Sequence, residues 1–278
     1  MHEVSELQTY LYDLKGYLVV EDVLSLEEVA RLKEAVDGTD LTNLPPSHRF
    51  GSAGGSAPTG PGFLAWGEPF VALMDHPLVM NVMRAQLGDC FRLDRIFGMH
   101  MRKGLPNGRL HSDYGASQPF TRAERGRYFV SPGHEALHGF GVAAWNLTDS
   151  GPEHGGLRVI PGSHNSHFKL PKVIREDGYD DVVAIPEAPA GSVTFFSEAL
   201  THGTAAWRAD HHRYTLLYKY CASQLSWSRT RVTAPEGAEL TERQRLLLEE
   251  PAGAKWFFPS LFPEEGAGEG AAPKAAST

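Results

Sequence analysis

Cysteine is scarce. Only Cys90 and Cys221 occur in 278 residues, which excludes a disulfide-stapled scaffold. Both lie in apolar segments and are expected to be buried thiols. No apolar run approaches the ~20 residues that a membrane-crossing helix needs, so no membrane partner is expected. Basic residues are outnumbered, 26 Lys and Arg against 34 Asp and Glu, for a formal charge of -8. The basic surface of a nucleic-acid binder is therefore missing. The opening MHEVSELQTYLYDLKGY has no basic stretch followed by an apolar one. It does not read as a secretory leader, and a cytoplasmic, reducing location is the expectation. No internal repeat is visible.

What is present is an ordinary globular composition, 41% hydrophobic and 22% charged. The length suits one large domain with a full core. That domain is expected over residues 1–263, with a Gly/Ala-rich tail over 264–278 that has little apolar area to order it.

The first third predicts helices. Ser25 with Glu28 forms a capping box, Val29, Leu32 and Val36 form an apolar stripe, and Gly38 is the stop. Pro77 to Leu87 predicts a second helix, with Val79, Val82 and Met83 inward and Gly88 at its end. The Gly/Ser/Pro-rich stretch 51–62 between them predicts a loop, read either as a surface connection or as a lid.

From residue 91 the pattern becomes β. Strands are predicted over Phe91–Arg102, Leu110–Asp113, Val142–Thr148, Leu157–Ile160, Val182–Ile185, Ser192–Phe196 and Tyr214–Cys221. Many short strands after a helical lead-in predict a mainly β fold, a sandwich or jelly roll with helices packed outside. Thr241 and Gln244 predict a last capped helix near Thr241–Glu250.

Within this pattern, His111-Ser112-Asp113 places an imidazole and a carboxylate on one face of a strand. His202 follows another strand and has Gly203 beside it, which allows close backbone approach. Two imidazoles and one carboxylate are the facial ligand set of non-haem Fe(II) oxygenases. Arg213 opens an apolar strand and needs a carboxylate partner, either a ligand or a local residue such as Asp210. His100 or Arg102 also faces the pocket, and alternation alone does not choose between them.

The segments LHSDYG (110–115), AAWNLTDSGPEHGGLRVIPGSH (143–164), AGSVTFFSEALTHGT (190–204) and HRYTLLYKY (212–220) resemble the phytanoyl-CoA dioxygenase family of Fe(II)- and 2-oxoglutarate-dependent oxygenases. GYLVVEDVLSLEEVARL resembles the family's opening strand and helix. The resemblance covers roughly residues 7 to 225. It implies a double-stranded β-helix, a cupin-like jelly roll with iron at one open end. It also implies that His111, Asp113 and His202 bind the iron and that Arg213 pairs with the far carboxylate of 2-oxoglutarate. Thr204 matches a hydroxyl position on that same carboxylate, and Trp145 matches an aromatic lining the co-substrate pocket. His164, in PGSH, matches a turn with a structural role.

The implied reaction couples 2-oxoglutarate and O2 to oxidation of a small-molecule substrate, releasing succinate and CO2. Asp113 fills the position that halide takes in related halogenases, which favours hydroxylation. Desaturation, cyclisation or epimerisation by the same oxidant remain alternatives, as does a non-enzymatic jelly roll that binds a metal or small molecule. The long segment after Asp113, to about residue 140, is expected to shape the substrate pocket, and a natural-product intermediate is the expected substrate. Oligomeric state is not legible.

Overall fold

The computed structural model describes residues 4–51, 59–113, 129–130, 137–166, 168–176, 179–226, 231–251 and 258–263. The tail 264–278, most of the 51–62 loop and most of 114–140 lie outside the described residues.

The chain opens with α1 (Glu6–Lys15), an unforeseen helix that carries its own capping box of Ser5 and Gln8. It ends at Gly16, whose φ of +77° favours glycine. A Cβ there would also lie 2.4 Å from Nδ1 of His164. Strand β1 (Tyr17–Val20) leads into α2 (Leu26–Asp37), where the Ser25/Glu28 box forms as predicted and Val29, Leu32 and Val36 are buried. After α3 (Glu68–Ala72), α4 spans the predicted Pro77–Leu87.

The strands are β2 (Phe91–Met101), β3 (Phe129–Val130), β4 (Leu137–His138), β5 (Phe140–Asn146), β6 (Gly156–Val159), β7 (Val193–Ser197), β8 (His202–Ala205) and β9 (Arg213–Ala222). The short helix α5 (Lys172–Arg175) lies between β6 and β7, and α6 (Glu242–Leu247) follows β9 with the Thr241/Gln244 box in place.

The large sheet runs β1-β7-β5-β9-β2, antiparallel throughout. Its outer face carries Trp145, Phe195, Leu216 and Tyr218, which pack with α2, α4 and their neighbours into the main core. Its inner face carries Val142, Ala144, Phe196 and Leu217, which meet Val159 and Leu200 of the opposing layer. Because both faces are covered, β5 is buried at every position. The small sheet pairs β6 with β8, and single bridges from His111 to His202 and from Ala184 to Val159 extend it on either side.

Two predicted strands therefore shrink to one bridged residue each. The Asp113 N–H turns away from the ladder to donate to the Glu198 carbonyl at 3.0 Å. Residues 182–185 run into Pro186, which has no N–H and restricts the residue before it. The thiol expectation is corrected in part: Cys221 is buried, but Cys90 is only half-buried just ahead of β2, and both are free.

Candidate metal centre

Backbone pairing brings two imidazoles together. His111 and His202 exchange both N–H···O bonds, at 2.9 and 2.7 Å, so their side chains leave the ladder side by side. Their ring centroids lie 4.6 Å apart. Each Nδ1 faces a carbonyl, Arg109 O at 2.9 Å for His111 and Leu200 O at 2.8 Å for His202. Both rings therefore carry the proton on Nδ1, which leaves the Nε2 lone pair free for a ligand.

Asp113 completes the group. Its Oδ1 lies 3.7 Å from Nε2 of His111, and one ligand atom from each of the three residues falls within 4.8 Å of the others. The second oxygen, Oδ2, accepts from Nζ of Lys219 at 3.0 Å. That division leaves Oδ1 as the single oxygen turned toward the imidazoles.

The electrostatics suit a divalent cation. Burial disfavours the charged form of His202 and pushes its pKa down to about 4, so it is neutral near pH 7. Burial, the largest single effect, would raise the pKa of Asp113, but the Lys219 ammonium and the two imidazoles together outweigh it and hold the carboxyl well below its usual range. Two imidazole nitrogens and one ionised carboxylate oxygen converge. This donor set fits iron in a facial arrangement with positions left open.

Lys219, on β9, is buried and also donates to Oε1 of Glu198 at 2.7 Å. Burial pushes the Glu198 carboxyl up to about 7, against the pull of Lys219. Sequence reasoning missed this pair. The lysine inside the apolar run YTLLYKY was the available signal, because a buried ammonium requires a partner.

The three residues line a cavity of about 510 Å3 between the two sheets, and Arg213 and Thr204 line it too. Arg213 is buried, and its one hydrogen bond among the described residues is to the weak acceptor Sδ of Met101 at 3.3 Å. Its Nε has no hydrogen-bond partner among the described residues. Asp210 is not that partner, being exposed and paired with Lys103 at 2.5 Å. Burial without a counter-charge lowers the Arg213 pKa to about 10. A carboxylate entering the cavity would satisfy it. Gly108 packs against Thr204 so closely that a Cβ there would lie 2.3 Å from the threonine Oγ1.

Trp145 corrects an expectation: it does not line the cavity. Its strand neighbours Ala144 and Asn146 do, so alternation sends Trp145 to the other face of β5. There it is fully buried in the main core, edge-on to His76 at 5.2 Å. The choice between His100 and Arg102 resolves to neither. Met99 lines the cavity and Met101 meets Arg213, while His100 stacks outside with His212 and Tyr214, and Arg102 is exposed. Asn146 was also missed; it donates to Oγ of Ser192 and Oγ1 of Thr194 at 3.2 and 3.1 Å on the cavity floor. His164 lies away from the centre, with Nε2 at 2.8 Å from the Asp13 carbonyl, as its structural reading anticipated.

A jelly roll with two imidazoles and one carboxylate at its mouth defines the class of non-haem iron oxygenases. The chain belongs to the phytanoyl-CoA dioxygenase family, whose model matches residues 12–215. That family consists of Fe(II)- and 2-oxoglutarate-dependent dioxygenases, so iron, 2-oxoglutarate and O2 are the cofactor and co-substrates of the class. The dioxygenase FUM3 of Gibberella moniliformis is 28% identical over 145 residues, 51% of this chain. The chain spans 43% of that relative's length.

Among solved structures, HygX from Streptomyces hygroscopicus with nickel and 2-oxoglutarate bound superposes with a TM-score of 0.66 at 19% identity, over 86% of this chain and 96% of that one. EctD from S. alaskensis with 2-oxoglutarate and 5-hydroxyectoine gives 0.57 at 21% identity, over 84% and 80%. These likenesses establish the jelly-roll fold. Among the described residues, no helix is long and apolar enough to cross a membrane.

Proposed function

We propose that this protein hydroxylates a small organic molecule, a natural-product intermediate, using Fe(II), 2-oxoglutarate and O2. His111, Asp113 and His202 hold the iron, and Arg213 and Thr204 hold the far carboxylate of 2-oxoglutarate. One observation carries the reading. Three ligand atoms within 4.8 Å share a cavity with a buried arginine that has no carboxylate partner among the described residues.

Bound iron supplies oxygen activation coupled to decarboxylation of 2-oxoglutarate. The protein's own groups supply position. The Arg109 and Leu200 carbonyls fix both imidazole tautomers, and Lys219 occupies Oδ2 of Asp113 so that one oxygen faces the metal. Arg213 orients the co-substrate by a planar two-point contact. The apolar lining of Phe97, Met99, Phe196 and Leu217 keeps water from the reacting centre. Asp113 fills the position that halogenation would require for halide, which supports hydroxylation. The hygromycin B bound to HygX and the 5-hydroxyectoine bound to EctD are small molecules, which supports a substrate of that size.

The test is succinate release from 2-oxoglutarate by the Fe(II)-loaded protein, screened across candidate substrates. Substrate-stimulated succinate that disappears in Asp113→Ala, while the circular dichroism spectrum is unchanged, is the expected result. A folded, iron-loaded protein that never binds or consumes 2-oxoglutarate would instead favour a non-enzymatic binding protein.

A further inference from the structure

The cavity holds a second buried arginine that this scheme leaves unused. Arg95 lines the same space as the metal-binding group. It is 9% exposed, and its guanidinium makes no salt bridge or hydrogen bond to a described residue, although it acts on the Glu198 carboxylate at longer range. Its buried Nε has no hydrogen-bond partner among the described residues. A guanidinium withheld from water without a partner is costly, so its position calls for a ligand.

The backbone is bent to place it there. The register of β2 against β9 shifts between Leu93 and Arg95, which leaves Asp94 as a bulge. In an unbroken strand Arg95 would share a face with Leu93, which sits in the main core. The bulge turns it to the opposite face, in step with Phe97 and Met99, and into the cavity.

Arg95 is also remote from the co-substrate arginine. It pairs across the ladder with Lys219, whereas Arg213 pairs with Met101, six positions along β9. At about 3.3 Å per residue their backbones are roughly 20 Å apart. Charge points the same way. Among the described residues, Arg95, Arg109, Arg213 and Lys219 line the cavity with Asp113, and Glu198 lies behind Lys219, so four cations meet two carboxylates. Fe2+ and the 2-oxoglutarate dianion cancel each other. The loaded site therefore keeps a positive excess in a chain of net charge -8. Arg109 also borders a neighbouring surface cleft with Lys169, Lys172 and Arg175, where Glu176 is the one acidic member among the described residues, which favours the approach of anions.

We propose that Arg95 is the substrate-recognition residue and that the substrate is a small organic acid. Its carboxylate or phosphate is held by the Arg95 fork, and its apolar body lies along Phe97, Met99 and Leu217. The inference rests on the reading of Arg213 as the 2-oxoglutarate arginine.

Calorimetry on the full-length protein loaded with Ni(II) and 2-oxoglutarate tests it, with hexanoate, hexyl phosphate and hexanamide as probes. At least one acid should bind about tenfold more tightly than the amide, and Arg95→Gln should erase that preference while leaving 2-oxoglutarate affinity unchanged. The better acid identifies the oxyanion. Equal binding of acids and amide, or no acid binding at millimolar concentration, overturns the proposal. So does loss of 2-oxoglutarate binding in folded Arg95→Gln, which would make Arg95 a co-substrate residue. Should the Gln variant not fold, Arg95→Lys keeps the charge without the fork and should weaken the acid alone. Failure of the wild-type protein to bind 2-oxoglutarate at all would defeat the proposed function instead, and that titration is run first.

Discussion

Lys219 holds Asp113 from behind: its Nζ lies 3.0 Å from Oδ2, and the same ammonium lies 2.7 Å from Glu198. One cation thus divides its charge between the carboxylate of the candidate metal centre and a wholly buried one. Removing it alone strands two acidic groups. Lys219→Met should therefore cost the metal-free protein about 3 kcal/mol in chemical denaturation. The double variant Lys219→Met/Glu198→Met should recover the part of that loss that comes from stranding Glu198, while Asp113 still lacks its cation. Additive losses would show that Lys219 stabilises the fold independently of Glu198.

Arg213 separates co-substrate binding from stability. Arg213→Gln should weaken 2-oxoglutarate by roughly 10- to 100-fold in a titration, the range expected for lost charge-assisted hydrogen bonds. Iron affinity should stay the same. The melting temperature of the unloaded protein should not fall, since the buried guanidinium has no counter-charge among the described residues. A destabilised variant with unaltered 2-oxoglutarate affinity would reverse the assignment.

Trp145 should behave as a core residue. Truncation to alanine should cost about 3–5 kcal/mol, as for other large buried aromatics. Trp145→Phe, which retains most of the volume, should bind 2-oxoglutarate as wild type does. Weaker co-substrate binding in the stable Phe variant would place the indole at the cavity after all.

His164 gives a pH signature away from the metal centre. Burial depresses its pKa below the ordinary 6.5, although the Asp13 carbonyl acts in the opposite sense. The unfolded chain then takes up the proton more readily than the folded one. The His164 contribution is complete above pH 6.5 and is lost as pH falls through the depressed folded value. Between about pH 7.5 and about pH 5.5 the wild-type melting temperature should fall further than that of His164→Gln. Parallel curves would remove His164 from the pH response.

Much of this molecule could be read along the chain because the signals are local. Capping boxes at Ser25 and Thr241, Pro77 at a helix start, and the His111-Ser112-Asp113 step all depend on residues a few positions apart. Helix α1 carries the same kind of signal at Ser5 and Gln8, but its exposed Leu7, Tyr10 and Leu14 blur the apolar stripe that would mark a helix. Trp145 was misplaced for a different reason. A strand buried on both faces has no polar side to indicate which residues look into a cavity.

The sequence by itself determined the ligand types, the arginine that requires a carboxylate, and a β fold behind a helical lead-in. Those follow from residue chemistry and periodicity. Only the tertiary structure decided which faces meet. The His111–His202 ladder pair, Lys219 behind Asp113, and the bulge that turns Arg95 inward all join segments far apart in the chain. No local pattern encodes that register. It is set when two sheet faces and a layer of helices close on each other, and the cavity that defines the substrate exists only after they have.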